Sequence, residues 1–313
     1  MVNKFTSHKP GLAIFLKLIA MFLFVTMWGI IKFTSEVVPA GQAVFFRSLF
    51  AIPVILLWLV LRGEIRVGLR PRKISHHVLR GGLGTVAMGL SFTGLGLLSL
   101  PEVTVIGYAA PVFVVILAAV VLGERIRAVR ITAVIIGLIG VMIVLWPRLT
   151  LAGTLTEGAA LGALAVLSAT LIRSIVQIHV RRMVETEHTA AIVFYFCLIA
   201  SMLSVLTAPF GWIVTDSKTT ALLISAGLVG GVAQILVTSA YRFAGASVLA
   251  PYDYTSIIFS IAIGYLWFGE YPASMMTIGA LFIILGGILV LWRESRLNTN
   301  RSPTQRDSTP KFD

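Results

Sequence analysis

Two charged residues stand where an apolar chain has least use for charge. Arg47 lies eight residues into the run that opens at Pro39 (PAGQAVFFRSLFAIP), and Asp253 sits in PYDYT between Tyr252 and Tyr254. A guanidinium offers five fixed N–H donors and a carboxylate only accepts, so each is a polar point able to hold part of a small molecule. Gln42 and Phe45 precede Arg47, Trp28 closes the first apolar run in Met27-Trp28-Gly29, and Tyr108 stands three residues before Pro111. These residue types supply donors, acceptors and flat aromatic walls, which is the chemistry of binding. Bond-making chemistry has no comparable set. His8, His76, His77, His179 and His188 fall at run ends or in loops, and neither HExxH, GxSxG nor a cluster of carboxylates occurs. No GxxxxGK[ST] loop is present, which excludes ATP hydrolysis through a P-loop. The single cysteine, Cys197, lies inside an apolar run, which excludes an intrachain disulfide framework and a cysteine metal cluster. No cofactor and no metal are implied.

The elements that must position these residues are membrane spans. The chain is 58% hydrophobic and 12% charged with a mean hydropathy of +0.95, too little polar side chain to cover a soluble surface. Apolar runs of about twenty residues recur, each long enough to cross a ~30 Å hydrocarbon layer as a helix. Ten spans are predicted, near 11–31, 39–61, 76–98, 102–122, 128–147, 158–180, 189–209, 219–241, 247–268 and 273–292. The fold class is therefore an all-α polytopic membrane protein. The lipid bilayer is its surroundings, and nucleic acid is not a partner despite the formal charge of +12.

Depth decides what the charges do. Arg47 falls about 12 Å below the Pro39 end of its span, too deep to reach water. At about 2.5–3.5 kcal/mol near the bilayer centre, it should face the bundle interior. There it contacts substrate, gates, or caps carbonyls freed by Pro53. Asp253 falls about 8 Å deep from the other face, leaving a vertical gap of about 10 Å to Arg47. The two are expected to be separate polar points. Lys17, Arg80 and Arg173 lie close enough to span ends that their stems should lift the charge to the headgroups. Gly81, Thr85 and Gly89 in the third span, and Gly227 and Gly231 in the eighth, predict close helix packing. Spans five and ten, apolar almost all round, should hold the molecule together.

The sequence is also written twice. Sliding by 146 places Gly123-Glu124 on Gly269-Glu270, Gly140 on Gly286, Val144-Leu145-Trp146 on Val290-Leu291-Trp292, and Tyr108 on Tyr254; a slide of 149 upstream places Gly81-Gly82 on Gly230-Gly231. Such an order of matches predicts two homologous halves. The expected layout is a terminal segment at 1–10, a first five-helix repeat at 11–147, a linker at 148–157, a second repeat at 158–293, and a disordered tail at 294–313. With a cytoplasmic N-terminus, eighteen Lys and Arg fall in inner segments against Lys32, Arg148 and Lys218 outside, so both termini are expected in the cytoplasm. The loop from Gly123 to Arg130 carries three arginines and its counterpart from Gly269 to Ser274 none. An inverted second half would shed them in this way.

Trp28-Gly29, Arg47 after Pro39, and Pro111 leading to Leu122-Gly123-Glu124 make the chain, over about residues 11 to 293, resemble the EamA branch of the drug/metabolite transporter superfamily. The sixth span has Ser168-Ala169-Thr170 where that family often has tryptophan. More narrowly, VPAGQAVFFRSLFAIPVILLWL, RGGLGTVAMGLSFTGLGLLSLPEVTVIGYAAPV and APYDYTSIIFSIAIGYLWFGE are similar to the bacterial riboflavin importers of that superfamily. The resemblance implies riboflavin uptake across the cell inner membrane by alternating access. The flat isoalloxazine ring suits walls made by Phe45, Tyr108, Tyr252 and Tyr254, with donors from Arg47 and Gln42. Trp28 and Asp253 complete the candidate site. An exporter of amino acids, amines or other small metabolites on the same fold is the competing reading. The sequence leaves the oligomeric state open, a homodimer included.

Overall fold

The computed structural model describes residues 10–122, 128–150, 154–183, 186–243 and 249–299. The Gly123-Glu124 copy of the repeated signature, Arg125 and Arg127 after it, the segment bearing Lys4 and Lys9, and the tail from 300 onward lie outside the described residues. Every regular element among them is helical. The first half contains α1 Pro10–Thr34, α2 Ala40–Leu49, α3 Ala51–Leu61, a short α4 Ile65–Gly68, α5 Ile74–Leu97, α6 Leu100–Gly107, α7 Ala110–Leu122 and α8 Ala128–Thr150. The second contains α9 Thr154–Met183, α10 Thr189–Val205, α11 Ser217–Phe243, a 3-10 segment Ala250–Thr255, α12 Ser256–Phe268 and α13 Ser274–Thr299. The last helix thus continues past Glu294, where a polar tail was expected to begin.

Among the described residues, four segments are long and apolar enough to cross a membrane: Gly11–Thr34, Ala40–Leu61, Gly158–Val180 and Ser217–Ala240. Shorter apolar helices lie at Leu100–Val114, Ile131–Trp146, Thr189–Val205 and Ser274–Leu289. Two of the expected spans are broken, and proline sets the break. A proline ring clashes with the carbonyl four residues before it. Pro53 points back at Leu49, the last residue of α2, and Pro111 at Gly107, the last residue of α6. In the ninth span the interruption takes the form of the 3-10 segment Ala250–Thr255, whose second residue is Pro251.

The halves interlock rather than sit side by side. α1 packs on α11 and α5 on α9; α2 packs on α10, α6 on α12 and α8 on α13. Exchanging the halves turns the first of these pairs into the second and maps α2–α10 and α8–α13 each onto itself, while α6–α12 joins the two copies of the fourth span. This is a pseudo-two-fold arrangement of two five-span units, and an odd number of crossings per unit inserts them in opposite senses.

The axis shows at atomic scale where α8 meets α13. A Cβ on Gly140 would stand 2.7 Å from the carbonyl oxygen of Gly279 and 2.7 Å from the amide nitrogen of Ile283. One on Gly286 would stand 2.8 Å from the carbonyl oxygen of Ala133 and 3.0 Å from the amide nitrogen of Gly137. Adding 146 converts Ala133, Gly137 and Gly140 into Gly279, Ile283 and Gly286, so these are the same contact seen from either half. Backbones this close in lipid gain dispersion that larger side chains would forbid. The close packing expected of the third span holds at Gly81, which lies against Ile199 of α10, while Gly89 has open space where a Cβ would go.

The repeated Gly-Glu pair has a physical role in its second copy. Gly269 ends α12 at φ +64°, a left-handed conformation that favours glycine, and Glu270 then bonds its N–H back to the Gly264 carbonyl. This aims the carboxylate at the first half. It accepts from the amide of Leu100, at the start of α6, at 2.8 Å and pairs with Lys32 of α1 at 3.0 Å.

Candidate functional site

Two of the three interrupted segments meet, those of the fourth and ninth spans. Tyr108, at the break between α6 and α7, lies against its repeat counterpart Tyr254 with ring centroids 5.0 Å apart and planes at 71°. Its hydroxyl donates to the Tyr254 carbonyl at 3.1 Å and shares a hydrogen bond of 2.6 Å with the Ser256 hydroxyl. A 3-10 segment inside an apolar layer leaves backbone groups short of partners. A tyrosine from the opposite half supplies one. Tyr252, Asp253 and Tyr254 are all half-buried, so this crossing keeps some exposed polar and aromatic surface.

Asp253 has a partner that its depth did not suggest. Lys17 of α1 is 2% exposed, and its ammonium lies 2.6 Å from an Asp253 carboxylate oxygen, while the Asp253 side chain keeps 44% of its surface open. The expectation that Lys17 lifts its charge to the headgroups is therefore corrected. Its stem turns into the bundle, where an acid from the other half lies and the ion pair offsets part of the cost of burying the charge.

Arg47 forms a second polar point, separate from Asp253 as expected. Only 6% exposed, it places Nη1 4.0 Å from Cys197 Sγ and its guanidinium carbon 5.8 Å from the centre of the Phe196 ring. It points into the bundle and not at Pro53. Arg80 of α5 lies against the same ring, its guanidinium carbon 3.6 Å from the Phe196 centroid. Arg80 was expected to reach for the headgroups; instead Nη1 is folded up beside Gly84. Arg173, given the same expectation, donates to the Ser91 hydroxyl at 2.8 Å. All three corrections share a cause: these stems lie on faces that pack against other helices, so the route to the headgroups is filled.

The remaining sequence-selected residues line neither point. Gln42 spends both ends of its amide on one backbone unit, donating to the Ile213 carbonyl at 2.9 Å and accepting from the Ile213 amide at 3.1 Å. It anchors the connection before α11. Phe45 leans on Trp212 of that connection, 5.2 Å between centroids. Trp28 packs against the main apolar core. A cavity of ≈ 220 Å³ is lined by Ile31, Ala40, Ala43, Phe92 and Gly96 among others; Arg47 does not line it.

The architecture of two interlocked halves is matched from outside the chain. The profile described as the EamA-like transporter family matches residues 11–146 and again 160–292. The chain belongs to the EamA-like transporter family. Members of this family are membrane transporters of small molecules and not enzymes. Among curated relatives of this EamA-like chain are the pseudopaline exporter CntI of Pseudomonas aeruginosa, 25% identical with 88% of this chain and 94% of that protein covered, and an S-adenosylmethionine uptake transporter of Rickettsia prowazekii, 27% identical with 88% and 90% covered. A riboflavin transporter of Vibrio cholerae is 28% identical, with 84% and 87% covered. A crystal structure 20% identical in sequence shares the fold, with a TM-score of 0.63 over 91% of this chain and 98% of that one. The relatives thus agree on transport while differing in cargo and direction.

Proposed function

We propose that this EamA-like transporter imports riboflavin across the bacterial inner membrane by alternating access, with both termini in the cytoplasm and its halves at 11–147 and 158–293 rocking about a midplane site. The observation that carries the reading is the meeting of the interrupted segments at Tyr108 and Tyr254. Irregular backbone inside an apolar layer is tolerated where it lines a cavity, and transporters of paired inverted repeats bind substrate at such breaks. Tyr108, Tyr252 and Tyr254 suit a flat heteroaromatic ring, Asp253 supplies an acceptor and Arg47 donors. The similarity to the Vibrio cholerae riboflavin transporter supports this cargo. Gln42, Phe45 and Trp28 support the surrounding frame. Import is driven by a solute or ion gradient, or by intracellular trapping of the vitamin.

The test is rescue of a riboflavin-requiring bacterium on low riboflavin, with uptake of the labelled vitamin measured in the same cells. Rescue is expected from the native chain, loss from Arg47→Gln, and little change from Arg72→Gln, whose structural contact to Glu187 is made by its backbone amide. Normal uptake by Arg47→Gln at equal membrane abundance would remove Arg47 from the site. Failure of the native chain to rescue, together with raised tolerance to an amino acid or amine, favours export and overturns the proposal.

A further inference from the structure

Arg47 is buried and Arg80 half-buried, and among the described residues neither pairs with a carboxylate. Four acids of the described residues are engaged elsewhere: Asp253 with Lys17, Glu270 with Lys32, Glu187 with His77, and Glu102 in the capping box at Ser99. Arg47 Nε, Arg80 Nε and Arg80 Nη1 are buried and donate to nothing. The neighbours they do have, the Phe196 ring and the Cys197 sulfur, are weak partners for a guanidinium. Both guanidinium carbons are measured from the same ring centre, so their separation is no more than the sum of those two distances. Arg47 lies about 12 Å in from Pro39, and Arg80 about 9 Å in from Ile74 at the other face. They converge near the middle of the layer.

Two like charges held this way repel each other and are costly until an anion joins them. On α2 the cavity-lining Ala43 stands one helical turn before Arg47. We infer that Arg47 and Arg80 together form a subsite for one oxyanion, a carboxylate, that is either part of the transported molecule or bound beside a neutral one. The inference rests on reading this interior as the transport path, and it adds Arg80 and an anionic ligand class to that reading.

The probe is benzoate, with benzamide as its neutral isostere, added to the purified full-length chain in detergent at fixed ionic strength. Thermal stabilisation should show benzoate binding about tenfold or more tightly than benzamide, as charge-assisted pairing predicts. Arg47→Gln and Arg80→Gln should each abolish the difference. Arg47→Lys and Arg80→Lys keep the charge and should retain part of it, which separates loss of the anion from loss of the fold. Equal shifts with the two probes, or a difference that survives both glutamine variants, would overturn the inference. Labelled riboflavin uptake into proteoliposomes then distinguishes the sources. Inhibition by benzoate assigns the anion to the transported molecule, and stimulation assigns it to a co-bound ion. Absence of any effect puts the site off the path and also overturns the inference. If riboflavin is not carried at all while benzoate binding requires both arginines, the riboflavin assignment fails and the anion subsite stands.

Discussion

Gly140→Ala and Gly286→Ala should damage the protein equally, because the pseudo-two-fold axis makes them one contact. At Gly140 the added carbon meets the Gly279 carbonyl oxygen and the Ile283 amide nitrogen, both at 2.7 Å; at Gly286 it meets the Ala133 carbonyl oxygen at 2.8 Å. These are backbone atoms and cannot rotate away, so α8 and α13 must move apart by several tenths of an ångström. Overpacking of this kind costs about 1–3 kcal/mol. Against it stands the helical preference for Ala over Gly, about 1 kcal/mol. Gly82→Ala and Gly89→Ala isolate that preference, since a Cβ at either position meets nothing within 4 Å. The comparison therefore predicts α8 and α13 variants about 1–3 kcal/mol less stable than the α5 controls. The assay is the unfolding midpoint in detergent, with membrane abundance as a second readout. Gly140→Ala and Gly286→Ala variants as stable as the controls would refute the close crossing, and a large effect at only one of them would refute the symmetry.

Asp253→Asn should lower both uptake and thermal stability by removing the carboxylate 2.6 Å from the Lys17 ammonium. A double variant with Lys17→Met should recover part of the stability but not the uptake; strictly additive losses in the cycle would show that the pair does not couple. Glu270→Gln keeps an acceptor for the Leu100 amide and loses the charge facing Lys32. It should therefore raise, several-fold, the reactivity of a cysteine placed by Ser35→Cys in a Cys197→Ser background, measured with an impermeant maleimide; an unchanged rate would deny it a latching role. Glu187 joins the α9–α10 connection to the start of α5. Burial pushes its carboxyl upward, but the Arg72 and Lys73 amides and His77 outweigh that and hold it below the ordinary 4.5. A depressed carboxylate stabilises fully above that value and loses its contribution as pH falls below it. Unfolding midpoints should accordingly drop below about pH 4.5 in the native chain and less steeply in Glu187→Gln. Parallel curves would refute the assignment.

Much of the architecture was legible because its causes are local. Runs of apolar residues gave the spans, and the repeat shift put Tyr108 on Tyr254. The partners of the charges were not legible. α1 is apolar nearly all round, so its periodicity does not tell which face meets α11 and the 3-10 segment, and depth alone sent Lys17 to the headgroups. Arg80 was misread for the same reason. Phe194 to Cys197 circle their helix, which hid the fact that Phe196 and Cys197 are the pair facing both arginines. Gln42 found its use 171 residues away, at Ile213, across a contact that no local pattern reports.

The first helix carries a lysine near each end, and both reach the same stretch of the second half, Lys17 to Asp253 and Lys32 to Glu270. Fifteen residues of helix separate them, about 22 Å of rigid rod. A rod pinned at two such distant points cannot tilt against its neighbour without letting go of one. Loss of either ion pair would leave the helix held to the second half at one end only.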